Sequence, residues 1–105
     1  MRQLKFRAWH KDSREMLYSS PENIFVWQHE GQPIEIMQFT GLLDRNSKEI
    51  YEGDIVKRSK VYKVSWSDES AAFVCDNETT KFPIGLYATH NDYEVTGNVF
   101  ENKEC

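Results

Sequence analysis

The chain is short of several things. Only two of its 105 residues are cysteines, Cys75 in mid-chain and Cys105 at the end. That spacing excludes a disulfide framework and leaves two free thiols as the expectation. No apolar run approaches the roughly twenty residues of a membrane-crossing helix. The opening "MRQLKFRAWHK" has no apolar stretch of the kind a secretion signal needs, because Lys5 and Arg7 interrupt it. A cytoplasmic protein without a membrane association is therefore expected. Helix-favouring Leu and Ala total nine residues, against eighteen of Val, Ile and Thr. β-branched residues fit a pleated, half-buried surface, so the composition predicts a mostly-β protein.

What is present suffices for a core. Surface scaling gives a chain of this mass a folded area of roughly 6,000 Å² against about 18,000 Å² unfolded, so about two-thirds can be buried. Aromatic residues make up 13% of the chain and supply large side chains for that burial. The net charge is -4, unevenly spread. Five bases and two acids lie between Met1 and Glu15, and Lys57, Arg58, Lys60 and Lys63 stand in Ile55–Ser67 without an acid. From Asp68 onward there are eight acids and two bases. An acidic protein does not bind nucleic acid by bulk charge, although one basic face could still do so.

Periodicity divides the chain into short runs. In "LKFRAW", Leu4, Phe6 and Ala8 alternate with Lys5, Arg7 and Trp9, which predicts a strand with one wet face. "DSRE" reads as a turn and Met16–Tyr18 as the returning hairpin partner. "SSPEN" reads as a loop broken by Pro21, followed by the compact apolar run "NIFVWQ" and then by the strand "IEIMQF". "MQFTGLLDRNSKEIYEGDIVK" reads as strand, turn and strand, with Gly41 and Gly53 placed for positive φ. "KVYKVSW" puts Tyr62, Val64 and Trp66 on one face, "AAFVCD" is a short apolar strand, and Pro83 and Gly85 argue against a regular strand in "KFPIGLY". "YEVTGNVF" closes the pattern, with Gly97 marking a bulge or tight corner. Short strands with turns every eight to twelve residues predict a small barrel or sandwich.

Motifs for chemistry fail when tested. An EF-hand alignment of Asp44, Asn46 and Lys48 puts Lys at the fifth position, Glu49 where glycine must bend, and Ile55 where a bidentate Glu belongs. His10, His29 and His90 lack metal-ligand spacing. "GLLDRNSK" lacks the second glycine and the Lys-Ser/Thr of a phosphate loop. Cys75 sits inside an apolar run, which favours an inert packed thiol over a nucleophile. No enzyme activity and no cofactor are expected. The one suggestive constellation is aromatic residues beside bases. Arg7 and Trp9 on one strand, with Lys57, Arg58, Lys60 and Lys63 beside Tyr62 and Trp66, could contact nucleic acid or a protein partner. The competing expectation places Trp9 and Trp66 in the core, bordered by long bases.

Three segments, "LKFRAWHKDSREM", "MQFTGLLDRNSKEIYEGDIVK" and "YEVTGNVFEN", resemble the YopX family of phage and prophage proteins in order and over nearly the whole chain. Two positions depart from that pattern: Ser47 replaces the glycine expected after Asn46, and His10 replaces an acidic residue after Trp9. The resemblance implies a mostly-β protein with residues 1–51 as an N-terminal β region packed on an SH3-like barrel of residues 52–105. It also implies a phage or prophage origin and residence in the host cytoplasm. It implies no activity, and no catalytic or binding residue is carried over. The functional expectation is a non-catalytic module that binds a protein partner or itself, with nucleic-acid binding as the alternative.

Overall fold

The computed structural model describes residues 4–84 and 93–101. It contains nine strands and one helix: β1 (Phe6–His10), β2 (Glu15–Tyr18), α1 (Pro21–His29), β3 (Ile34–Leu43), β4 (Glu49–Tyr51), β5 (Asp54–Lys57), β6 (Val61–Ser67), β7 (Ala72–Asp76), β8 (Lys81–Pro83) and β9 (Glu94–Asn98). The mostly-β expectation holds. The strands form two antiparallel sheets, ordered β2-β1-β3-β4 and β8-β7-β6-β5-β9. They divide at the Glu52–Gly53 turn.

The compact apolar run "NIFVWQ" is where the structure adds a helix, and the loop reading of "SSPEN" is corrected from Pro21 onward. The run lies inside α1, whose start is written just upstream. Ser20 is the N-cap, its hydroxyl accepting from the Asn23 amide at 3.3 Å, and Pro21 occupies the first helical turn, where a missing N–H costs nothing. The helix buries Ile24 and sets Phe25 edge-on against Phe6 at 5.2 Å between ring centroids.

This helix corrects a second expectation, that β1 has a wet face. α1 contacts β1 and β3, where Phe25 meets Phe6. The other side of β1 faces the second sheet, so Arg7, Ala8 and Trp9 are all buried. Trp9 stacks on Phe100 at 5.5 Å with the rings 16° from parallel. The first sheet also curls, which brings Tyr18 of β2 within 6.1 Å of Tyr51 of β4 although β1 and β3 lie between them.

The second sheet is a four-strand meander, β5 to β8, with β9 returning beside β5. It wraps a core of Val56, Tyr62, Val64, Cys75 and Tyr93, to which Ile50 of β4 is added from the first sheet. Thr96 is the extra residue where β9 slips against β5, since Ile55 faces Gly97 while Val56 faces Val95. The bulge thus lies beside Gly97, as expected. Pro83 is accommodated because, among the described residues, β8 is an edge strand paired through β7. Gly53 takes φ 84° at the junction of the sheets, and a Cβ there would lie 3.2 Å from the Met37 sulfur.

The quoted acidic turn is structural. Asp44 is buried, and one of its oxygens accepts from the amides of Asn46 (2.8 Å) and Lys48 (2.9 Å). Its other oxygen accepts from the Val95 amide at 2.9 Å, 51 residues away in sequence. Burial alone would raise this carboxyl, but the Val95, Lys48 and Asn46 amides outweigh it and hold it below the ordinary 3.8. Ser47 carries the positive φ of this turn, at 64°.

Candidate functional site

The six residues singled out from the sequence fall into two groups. Arg7 and Trp9 are removed from solvent, at 3% and 4% exposure. Their expected role as a contact surface is corrected by this burial: Trp9 is packed against Phe100, and Arg7 is spent inside the molecule. Its guanidinium donates to Asp54 at 2.8 Å and to the Glu52 carbonyl at 3.2 Å, and lies 4.6 Å from the centre of the Tyr51 ring. Lys5, two residues earlier on the same face, pairs with Glu49 at 2.5 Å. The base-rich start of the chain thus bonds the two sheets and the edge of the first.

Lys57, Arg58, Lys60 and Lys63 are all exposed. They belong to the β5–β6 hairpin, whose three-residue turn is closed by the Arg58 amide on the Lys60 carbonyl at 3.1 Å. Lys57 stands opposite Glu94 across the β5–β9 ladder, and Lys63 stands opposite Asp76 across β6–β7. Among the described residues none of the four bases forms an ion pair. Beside the hairpin is an open cleft of about 590 Å³ lined by Val61, Tyr62, Lys63, Asp76, Asn77, Glu78 and Thr79. Tyr62 gives its ring to the core, stacking edge-on with Phe82 at 5.1 Å, so it is no platform for a base.

At the other end of β6 the surface is different. Trp66 is 46% exposed, although the register places it on the core face of its strand. It is nevertheless fixed: its indole N–H donates to Asp68 at 2.8 Å, and its ring meets Phe73 edge-on at 5.1 Å. With Gln38 and Glu52 these two aromatics line a notch of about 280 Å³ between the first sheet and the second. Glu52 is itself positioned by the Gln38 amide, which donates to it at 2.9 Å. Asp68 and Glu69 are exposed in the adjoining turn. The sequence leaves Trp66 open between an exposed aromatic beside the bases and a core residue, and it does not announce the notch, because Gln38 and Glu52 come from segments far from β6. The only signal was the pairing of a Trp with the acidic turn "SDES" two residues on.

Cys75 is fully buried in the second sheet's core. Burial pushes its thiol up to about 11, away from thiolate chemistry at neutral pH. His10 and His29 belong to β1 and α1 of the other layer. His90 and Cys105 lie outside the described residues.

The fold and these surfaces can be set beside known proteins. The family model described as YopX protein matches residues 20–105. The chain belongs to the YopX family. Of the three segments that carry the resemblance, the first lies before the matched range, and the other two fall inside it. The crystal structure of protein EF1440 from Enterococcus faecalis is similar to this YopX chain, with a TM-score of 0.69 and 26% identity, covering 99% of this chain and 98% of that one. That likeness spans both sheets, so the first segment belongs to the same architecture. No curated protein matches significantly.

Proposed function

We propose that this YopX chain is a non-catalytic binding module, encoded by a phage or prophage and working in the host cytoplasm, that docks a protein partner or itself. The observation that carries this is the Trp66 notch. A half-exposed indole locked by Asp68 and Phe73 is the kind of rigid aromatic anchor on which protein contacts concentrate their energy. The order of the second sheet, a meander of four strands with a fifth returned to the first, supports reading residues 52–105 as an SH3-like barrel. The sealed Cys75 supports a role without covalent catalysis.

The test is capture by the tagged full chain from prophage-bearing cells, with Trp66→Ala as the control. A partner held by the wild type and lost by the variant supports the notch as the contact. Equal recovery by both proteins removes it.

The nucleic-acid alternative is favoured by the four bases of the β5–β6 hairpin, which form no ion pair among the described residues. Burial of Arg7, Trp9 and Tyr62 takes away the stacking residues near these bases, and the exposed Trp66 stands at the far end of β6. Binding of labelled oligonucleotides at about 50 mM salt that weakens steeply by about 200 mM would restore it. Absence of binding at the lower salt removes it.

A further inference from the structure

Strand β6 has oppositely charged ends. Its start adjoins the hairpin tip of Arg58, Ser59 and Lys60, and its finish runs into Asp68 and Glu69 beside the Trp66 notch. Six residue steps from Val61 to Ser67, at about 3.3 Å each, separate these ends by roughly 20 Å. The basic tip therefore cannot enter the acidic notch of its own molecule.

We infer that the Arg58–Lys60 tip of one chain docks in the Trp66 notch of a second copy, joining chains head to tail. This deepens the self-binding arm of the proposed function and rests on it. The notch suits a guanidinium: the Trp66 and Phe73 rings line it together with Gln38 and Glu52, and the exposed Asp68 and Glu69 follow Trp66 in the adjoining turn. Arginine stacks on aromatic faces and pairs with carboxylates at the same time, and Arg58 stands exposed at the turn. Because Trp66 is already held by Asp68 and Phe73, docking has little order to impose on the notch side. The acids near the hairpin, Glu94, Asp76 and Glu78, do not cancel the tip. Glu94 and Asp76 stand opposite Lys57 and Lys63 in the ladders, and Glu78 lines the cleft beside β6, which leaves Arg58 and Lys60 as the forward charges.

Since the two contacting surfaces differ, the contact is heterologous and leaves one tip and one notch free on each dimer. Growth with concentration follows, as rings or open chains. That property supplies the test, made by sedimentation velocity on the full chain. At about 50 mM salt the average mass rises with concentration, and at about 500 mM it returns to the monomer. Arg58→Ala/Lys60→Ala lacks the tip, and Trp66→Ala/Glu69→Ala lacks the notch. Each is expected to sediment as a monomer with an unchanged far-UV spectrum. Mixed in equal amounts, they are expected to form a dimer and nothing larger, because each supplies the half that the other has lost.

A wild-type chain that stays monomeric at low salt overturns the inference, and so does self-association that survives either double substitution. A monomeric chain that instead binds an oligo-glutamate peptide or an oligothymidine through the tip also overturns it, assigning that surface to a foreign partner. None of these results touches the capture experiment with Trp66→Ala, so failure here and failure of the broader proposal are distinguishable.

Discussion

Arg7 of β1 and Asp54 of β5 meet at 2.8 Å, one from each sheet, with side chains only 4% and 2% exposed. The second Asp54 oxygen accepts from the Tyr51 amide at 2.8 Å, so a single carboxylate joins the last residue of the first sheet to the first residue of the second. Removing one partner of a buried pair leaves an uncompensated charge and costs about 3–5 kcal/mol. Arg7→Met is therefore expected to destabilise strongly in urea. Arg7→Met/Asp54→Asn should recover part of the loss, since neither charge then remains. Additive losses in that double-mutant cycle would show that the pair is not coupled.

The same pair gives a pH signature. Burial raises the Asp54 carboxyl above its ordinary 3.8, and Arg7 only partly counters it. Without Arg7 it rises further. A raised carboxyl binds protons more tightly in the folded state, so its contribution to stability falls as pH rises from the unfolded value through the folded one. The deficit of Arg7→Met relative to wild type should therefore be smallest near pH 4 and widen towards neutrality. A deficit independent of pH would show that Arg7 acts by packing alone.

Asp44 works in the opposite sense. Its carboxyl is held below 3.8, so its contribution is present above the unfolded value and lost as pH falls from about 4 through the folded one. Asp44→Ala forfeits three charge-assisted bonds and is expected to cost on the order of 3 kcal/mol at pH 7. Its difference from wild type should shrink in acid, a trend that equilibrium unfolding at pH 7 and pH 3 would read.

Ser47 holds φ at 64°, in the left-handed region where a side chain costs roughly 1 kcal/mol. Ser47→Gly should stabilise by about 0.5–1 kcal/mol, and Tm should rise by a few degrees. Calorimetry showing a lower Tm would mean that the hydroxyl supplies more than the backbone loses.

Ile55 is 1% exposed at the centre of β5. Ile55→Ala is expected to cost about 2–5 kcal/mol, the range for deleting a buried aliphatic side chain. An unchanged melting temperature would contradict its place in the core.

The strand pattern was legible because alternation, turn residues and glycines act locally. The β1–β2 hairpin, the Asp44–Lys48 turn, the positive φ of Gly41 and Gly53 and the bulge beside Gly97 were all readable that way. What could not be read was how each face would be covered. Lys5, Arg7 and Trp9 alternate like a solvated face, yet their partners Glu49, Asp54 and Phe100 lie 44 or more residues away. The α1 start was available in Ser20-Pro21 but was outweighed by the apolar density of the run that follows. The Trp66 notch needed Gln38 and Glu52 brought alongside, which no local pattern announces.

The reach of Asp44 to Val95 has one more consequence. β9 is the last strand of its sheet, and its outer backbone groups would ordinarily offer a template for another chain to join. Here the Arg45 amide donates to the Tyr93 carbonyl at 2.8 Å, while the Val95 amide is taken by Asp44. The acidic turn thus occupies the margin where a foreign strand would add and seals that side of the sheet against aggregation.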